Sequence, residues 1–138
     1  NRSAFKKTSI GLTRNKAYSL IMMDINEFKQ INDNFGHQFG DLVLMQIAEV
    51  IDRTSDDKTS SYRIGGDEFC MVIMGSSESK LYEKVQAIID GLIVMRKENP
   101  KLPILSIGYV FKEKTDDYEF EYIFELADKE LYKQKQVI

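Results

Sequence analysis

The chain has 138 residues, 43% of them hydrophobic, which suits one globular domain with a buried core and excludes a disordered segment. Its 19 Lys and Arg against 22 Asp and Glu leave a net charge of -3, so nothing in the charge balance points to nucleic acid as a partner. The single cysteine, Cys70, excludes an internal disulfide framework and a cysteine-based zinc cluster, and favours a reducing compartment.

KAYSLIMMD, residues 16–24, is a short apolar run closing on an acid, which predicts a buried strand whose last residue, Asp24, emerges at the sheet edge. A short helix opens directly after it, over residues 26–29. From Asp41 to Arg53, Val43, Ile47, Val50 and Ile51 recur at helical spacing and predict an amphipathic helix. SSYRI (60–64) and EFCMVIM (68–74) flank Gly65 and Gly66, which predicts a β-hairpin whose glycines take the positive φ of a two-residue turn. Cys70, inside the second strand, is expected in the core. Leu81, Val85, Ile88, Ile89 and Leu92 mark a second long helix, stopped near Asn99 and Pro100. PILSIGYVF (103–111) reads as another strand. Asp116 and Glu119 form a capping box that opens a third long helix, with Phe120, Ile123, Phe124, Ala127 and Leu131 on its buried face. The order β, α, α, β, β, α, β, α, with a hairpin in the middle, predicts an α/β (α+β) domain whose sheet is largely antiparallel or mixed and flanked by helices. Apolar runs such as LIMM and GLIVM fall well short of the roughly 20 residues that span a bilayer, so a soluble piece without membrane contact is expected.

Two stretches carry chemistry. In DINEFKQINDNFGHQFGD (24–41), the backbone N–H groups of Asn26, Glu27, Phe28 and Lys29 open a helix and can hold phosphate oxygens, with Lys29 adding positive charge. Taken singly, Asp24 also reads as a helix cap and Lys29 as a solvated lysine. Asn32 and Asp41 lie nine residues apart in successive helices and can present an amide and a carboxylate to a guanine edge, although each alone also reads as a turn or cap residue. His37, the only histidine, is read as structural. In RIGGDEF (63–69), Asp67 and Glu68 beside Gly65 and Gly66 read either as a solvated acidic turn or as a metal site.

Together these stretches resemble the GGDEF family of diguanylate cyclases. The matching segments are DINEFKQIND, FGHQFGDLVL, RIGGDEF, SIG (106–108) and ADKELYKQK (127–135), and the opening NRSAF is similar to the family's NRxxF. The resemblance covers essentially the whole chain. It implies a cyclase-like sheet in which Asp24, Asp67 and the Ile25 carbonyl bind one or two Mg2+ or Mn2+ ions, since hard divalent ions take oxygen ligands and pair with phosphates. Glu68 would assist deprotonation of a ribose 3′-hydroxyl, Gly65 and Gly66 would leave room for the triphosphate, and Lys29 and Lys135 would stabilise it. The implied reaction joins two GTP molecules into cyclic di-GMP and two pyrophosphates across a homodimer. The resemblance further implies a cytoplasmic fragment, residues 1–138, of a larger protein whose missing N-terminal part carries a sensory or regulatory region or a membrane anchor. A catalytically silent GTP-binding module is the alternative.

Three departures from the family pattern stand out. Asn26 takes the place of a second Asp found in many members, with little loss expected. The family pattern places a basic residue just beyond Lys135, past Ile138 where this sequence stops, and weaker phosphate binding by residues 1–138 alone is the expectation. Many members also carry an RxxD product-binding motif before the Gly-Gly, and here those positions read DDKT, Asp56 to Thr59. Acid in place of arginine removes the planar fork that grips phosphate oxygens, which predicts no product inhibition through that site.

Overall fold

Every residue of the run YSLIMMDI is buried, which places this strand in the middle of a sheet covered on both faces. A computed structural model describes Phe5, Lys7, Gly11 and residues 15–75 and 77–137, so the NRSAF opening lies outside the described residues except for Phe5. Eight elements follow one another in it: β1 (Tyr18–Ile25), α1 (Phe28–Phe35), α2 (His37–Arg53), β2 (Thr59–Arg63), β3 (Glu68–Met74), α3 (Glu78–Glu98), β4 (Leu105–Lys112) and α4 (Phe120–Val137). The strands form one sheet in the order β2-β3-β1-β4, and every neighbouring pair is antiparallel.

Strand alternation divides the core in two. Ile21, Met23, Ile25, Met71 and Ile73 face the apolar stripes of α2 and α3. Leu20, Met22, Cys70 and Val72 face Phe120, Ile123, Ala127 and Leu131 of α4. Cys70 is thus a core residue, and burial pushes its thiol pKa up. On this second face α4 lies directly on β4 at Gly108. A Cβ there would stand 2.2 Å from the Leu131 nitrogen and 2.7 Å from the Ala127 oxygen, so only glycine admits the helix.

The elements match the sequence expectation in order and differ at their ends. Helix α2 begins at His37, so His37 opens a helix and Asp41 lies one turn inside it. Gly36, at φ 88°, makes the break between α1 and α2. The capping box at Asp116 does not form. The Asp116 carboxylate accepts instead from the Glu113 N–H at 3.0 Å, and the Glu119 carbonyl receives the N–H groups of Tyr122 (3.1 Å) and Ile123 (3.3 Å) in the first turn of the helix. Strand β4 runs one residue further than expected, to Lys112. That side chain is fully buried and its ammonium donates to the carbonyls of Lys16 (2.9 Å) and Glu113 (3.1 Å), over the Tyr18 ring. Among the described residues, no helix is long and apolar enough to cross a membrane.

Candidate active site

Register decides which acids meet. Asp24 near the end of β1 pairs with Glu68 on β3 and with Ser106 on β4, so Ser106, Asp24 and Glu68 form one row across three strands, on the α4 face. Asp67 joins from the hairpin loop, where its carbonyl accepts from the Ile25 N–H at 3.0 Å and extends the ladder one step past β3.

The hairpin itself is built differently from the expected two-residue turn. The Ile64 N–H donates to the Glu68 carbonyl at 3.0 Å, leaving Gly65, Gly66 and Asp67 as a three-residue loop in which neither glycine has a positive φ. Arg63 closes it. Its guanidinium donates to the carbonyls of Gly65 (3.2 Å) and Gly66 (3.2 and 2.8 Å), a brace that no sequence pattern announced. A Cβ at Gly65 would meet Glu68 at 3.4 Å, an ordinary van der Waals contact, whereas Gly66 opens on empty space.

Burial and neighbouring carboxylates raise the pKa of Asp67 and Glu68. Burial, then the nearby Asp24 carboxylate, push Asp67 up. Burial, followed by Asp24, Asp128 and Asp67, does the same to Glu68. Lys135 in the last turn of α4 stands among them and forms an ion pair with Asp24 Oδ2, and that hydrogen bond raises the lysine's own pKa. The other carboxylate oxygen, Asp24 Oδ1, is buried with no partner. Among the described residues no three His, Cys, Asp or Glu side chains converge as a preformed metal cluster.

A cavity of about 750 Å3 opens in front of this group, bounded by residues 24–29, Asp67 and Lys135. Its floor is the start of α1. Glu27 holds the left-handed conformation there, φ 55°, and the helix has no side-chain cap, so the first-turn N–H groups of residues 28–30 remain without a backbone partner. Asn26 does not belong to that set. Its N–H donates to the Ile104 carbonyl at 3.0 Å, which removes it as the expected backbone phosphate donor. Arg96 and Lys101 also line the cavity, a pair of cations that the sequence showed only as the basic end of α3 and the loop after it.

Not every expected residue stands on this cavity. Glu68, Gly65, Gly66, Asn32 and Asp41 are not among the residues that line it. Asn32 is half-buried with its amide oxygen against Gly40, where an added Cβ would approach it to 1.9 Å, and Asp41, the next residue, is exposed. The Asn32 amide thus lies at the α1–α2 junction against Gly40, one residue before Asp41, whose side chain is open to solvent. In the DDKT segment, Asp56 is already engaged. Lys84 of α3 pairs with it at 2.8 Å, and that contact holds the Asp56 carboxyl below its usual range.

The family described as "Diguanylate cyclase, GGDEF domain" matches residues 1–137. The chain is 32% identical to Diguanylate cyclase VdcA of Vibrio cholerae over 99% of its own length and 42% of that protein. It is 33% identical to Diguanylate cyclase DgcN of Escherichia coli over 98% of its length and 35% of that one. The chain thus spans well under half of these relatives. Its fold is similar to the GGDEF domain of DgcB from Caulobacter crescentus, solved in complex with c-di-GMP, with a TM-score of 0.72, 25% identity and coverage of 98% of this chain and 80% of that one. A family match over residues 1–137, two relatives above 30% identity and a shared fold lead to one conclusion: the chain belongs to the GGDEF family of diguanylate cyclases.

Proposed function

We propose that this domain condenses two molecules of GTP into cyclic di-GMP and two pyrophosphates, acting as a homodimer within a longer, regulated protein. The observation that carries this reading is the meeting of Asp24 and Asp67 at one side of a nucleotide-sized cavity whose other side is an uncapped helix start.

The donor set fits a hard divalent ion. Asp24 Oδ1 is buried without a partner, and burial, with neighbouring carboxylates adding to it, shifts Asp67 and Glu68 upward, so a cation between them would offset the cost of holding these charges. Mg2+ or Mn2+ held by Asp24, Asp67 and the Ile25 carbonyl would supply charge neutralisation at the attacked phosphate. The remaining work belongs to the chain. N–H groups at the start of α1 and the Lys29 ammonium hold phosphate oxygens, and Lys135, once released from Asp24, turns its charge to the same group. Asn32 and Asp41 take the guanine edge. Glu68, made more basic by its buried and acid-crowded position, assists loss of the 3′-hydroxyl proton. One such cavity accommodates one GTP, so the attacking hydroxyl comes from a nucleotide on a second, facing copy.

The test is incubation of concentrated protein with GTP and Mg2+, with mass spectrometry of the products. Cyclic di-GMP from the wild type and none from a folded Asp67→Asn variant is the expected result. Bound GTP without product would leave the silent binding module as the better reading, and near-normal turnover by Asp67→Asn would remove its carboxylate from the metal site.

A further inference from the structure

The cavity extends well beyond its acidic corner. Residues 28–31, then Asn34 and Phe35, line it, so it follows α1 from first residue to last, a rise of roughly 10 Å. Asp24 and Asp67 stand where that path begins. Further wall comes from the end of α3 and the loop before β4, through Arg96, Lys101, Pro103 and Ile104.

Two contacts fix that loop against α1. The Ile104 carbonyl accepts the Asn26 N–H at 3.0 Å, beside the helix start, and the Lys101 ammonium lies 5.8 Å from the centre of the Phe35 ring, at the helix end. Arg96 belongs to the same frame, because its Nε donates to the Leu102 carbonyl at 3.1 Å. That bond uses one of the five guanidinium donors. Among the described residues no carboxylate forms an ion pair with Arg96 or Lys101, whereas Lys84 and Lys135 are both held by acids. Two cations thus line the cavity without an acid of their own.

We infer that Arg96 and Lys101 bind the terminal phosphates of the nucleotide and hold the pyrophosphate as it leaves. The inference rests on the function proposed above and adds to that site two residues from α3 and the loop after it. The guanine edge is assigned to Asn32 and Asp41, which do not line this cavity, so its length along α1 is left for the phosphate chain. A guanidinium fixed at Nε presents its outer nitrogens as a planar fork to two oxygens of one phosphate. In the reaction the 3′-oxygen bonds to the α-phosphorus, its proton passes to Glu68, and the bond from that phosphorus to the bridging oxygen breaks. Pyrophosphate departs with the electron pair, and cations beside it stabilise the charge it gains.

The experiment measures binding by NMR titration in Mg2+, with GMP and with the α,β-methylene analogue of GTP, in which the bond to be broken is blocked. Wild type is expected to bind the analogue more tightly than GMP. For Arg96→Gln the expected result is an analogue affinity lower by about tenfold or more with GMP affinity unchanged, because the charge-assisted pair exists only with the terminal phosphates. Lys101→Gln, which leaves the Arg96 bond to Leu102 in place, is expected to weaken the analogue severalfold and to spare GMP. Equal losses for GMP and the analogue in Arg96→Gln would mean that the arginine only holds the loop. That result, an unchanged analogue affinity in Arg96→Gln, or a wild type that binds the analogue no better than GMP would overturn the inference and leave the proposed function standing. An unchanged analogue affinity in Lys101→Gln would remove the lysine from the site. A wild type that binds neither ligand would overturn the proposed function together with the inference.

Discussion

At the scale of single residues, burial sets how much each contact can contribute. Asp41 is exposed, so as an acceptor for guanine N1–H and amino protons it competes with water. Asp41→Ser is expected to cost about 1 kcal/mol, the low end for a lost acceptor, read as a roughly fivefold loss of preference for GTP over ATP in competition binding. An unchanged preference would remove the guanine role. Asp56 leads to a second prediction. Its carboxylate faces Lys84 at 2.8 Å, Lys58 and Lys80 line the adjacent space, and among the described residues no arginine does. Without the bidentate fork, and with an acid already in place, added cyclic di-GMP is expected to inhibit only by competing with GTP. Initial rates at several GTP concentrations test this, since inhibition that persists at saturating GTP would reveal a separate product site.

Between elements, the decisive contact is α4 on β4. Gly108 lets the helix backbone approach closely, and Lys135 lies one turn beyond Leu131, which brings its ammonium to Asp24. The SIG motif therefore acts through packing. Gly108→Val would force the helix away, with overpacking of about 1–3 kcal/mol and a Tm lowered by about 4–12 °C. GTP affinity should fall with it, because Lys135 moves with α4. Gly66→Ala is the control for Tm alone, since that position opens on empty space and its φ is not positive. An equal Tm for Gly108→Val and wild type would show that α4 does not rest on this glycine.

For the molecule as a whole, the proposed chemistry is bimolecular in domains. A cavity of about 750 Å3 accommodates one nucleotide, so turnover requires two loaded copies to meet. Specific activity is expected to rise with protein concentration in the dilute range and to level off once dimers dominate. Activity per mole that stays flat from the lowest concentrations would indicate a stable dimer or a reaction completed within one chain.

Local pattern determined the elements. Apolar spacing in β1, α2, α3 and α4 is strong because each buries one stripe or both faces, and the order βααββαβα was legible from that alone. The motif residues Asp24, Asp67, Lys29 and Lys135 were likewise visible, because their types and spacing carry the family resemblance. Ends were less legible: the start of α2 at His37 and the cap at Glu119 depend on backbone bonds that compete locally. What no local pattern contains is register and reach. Only pairing across β3, β1 and β4 places Glu68, Asp24 and Ser106 in one row, and only α4 lying on Gly108 brings Lys135 to Asp24. Arg63 bracing the glycine loop, and Asn26 spending its N–H on Ile104, are of the same kind. The sequence singled out the groups proposed to carry the chemistry, because type and spacing are local properties; the tertiary structure decided which of them meet, because hydrogen bonds between distant strands and the depth of helix packing depend on residues far apart in the chain.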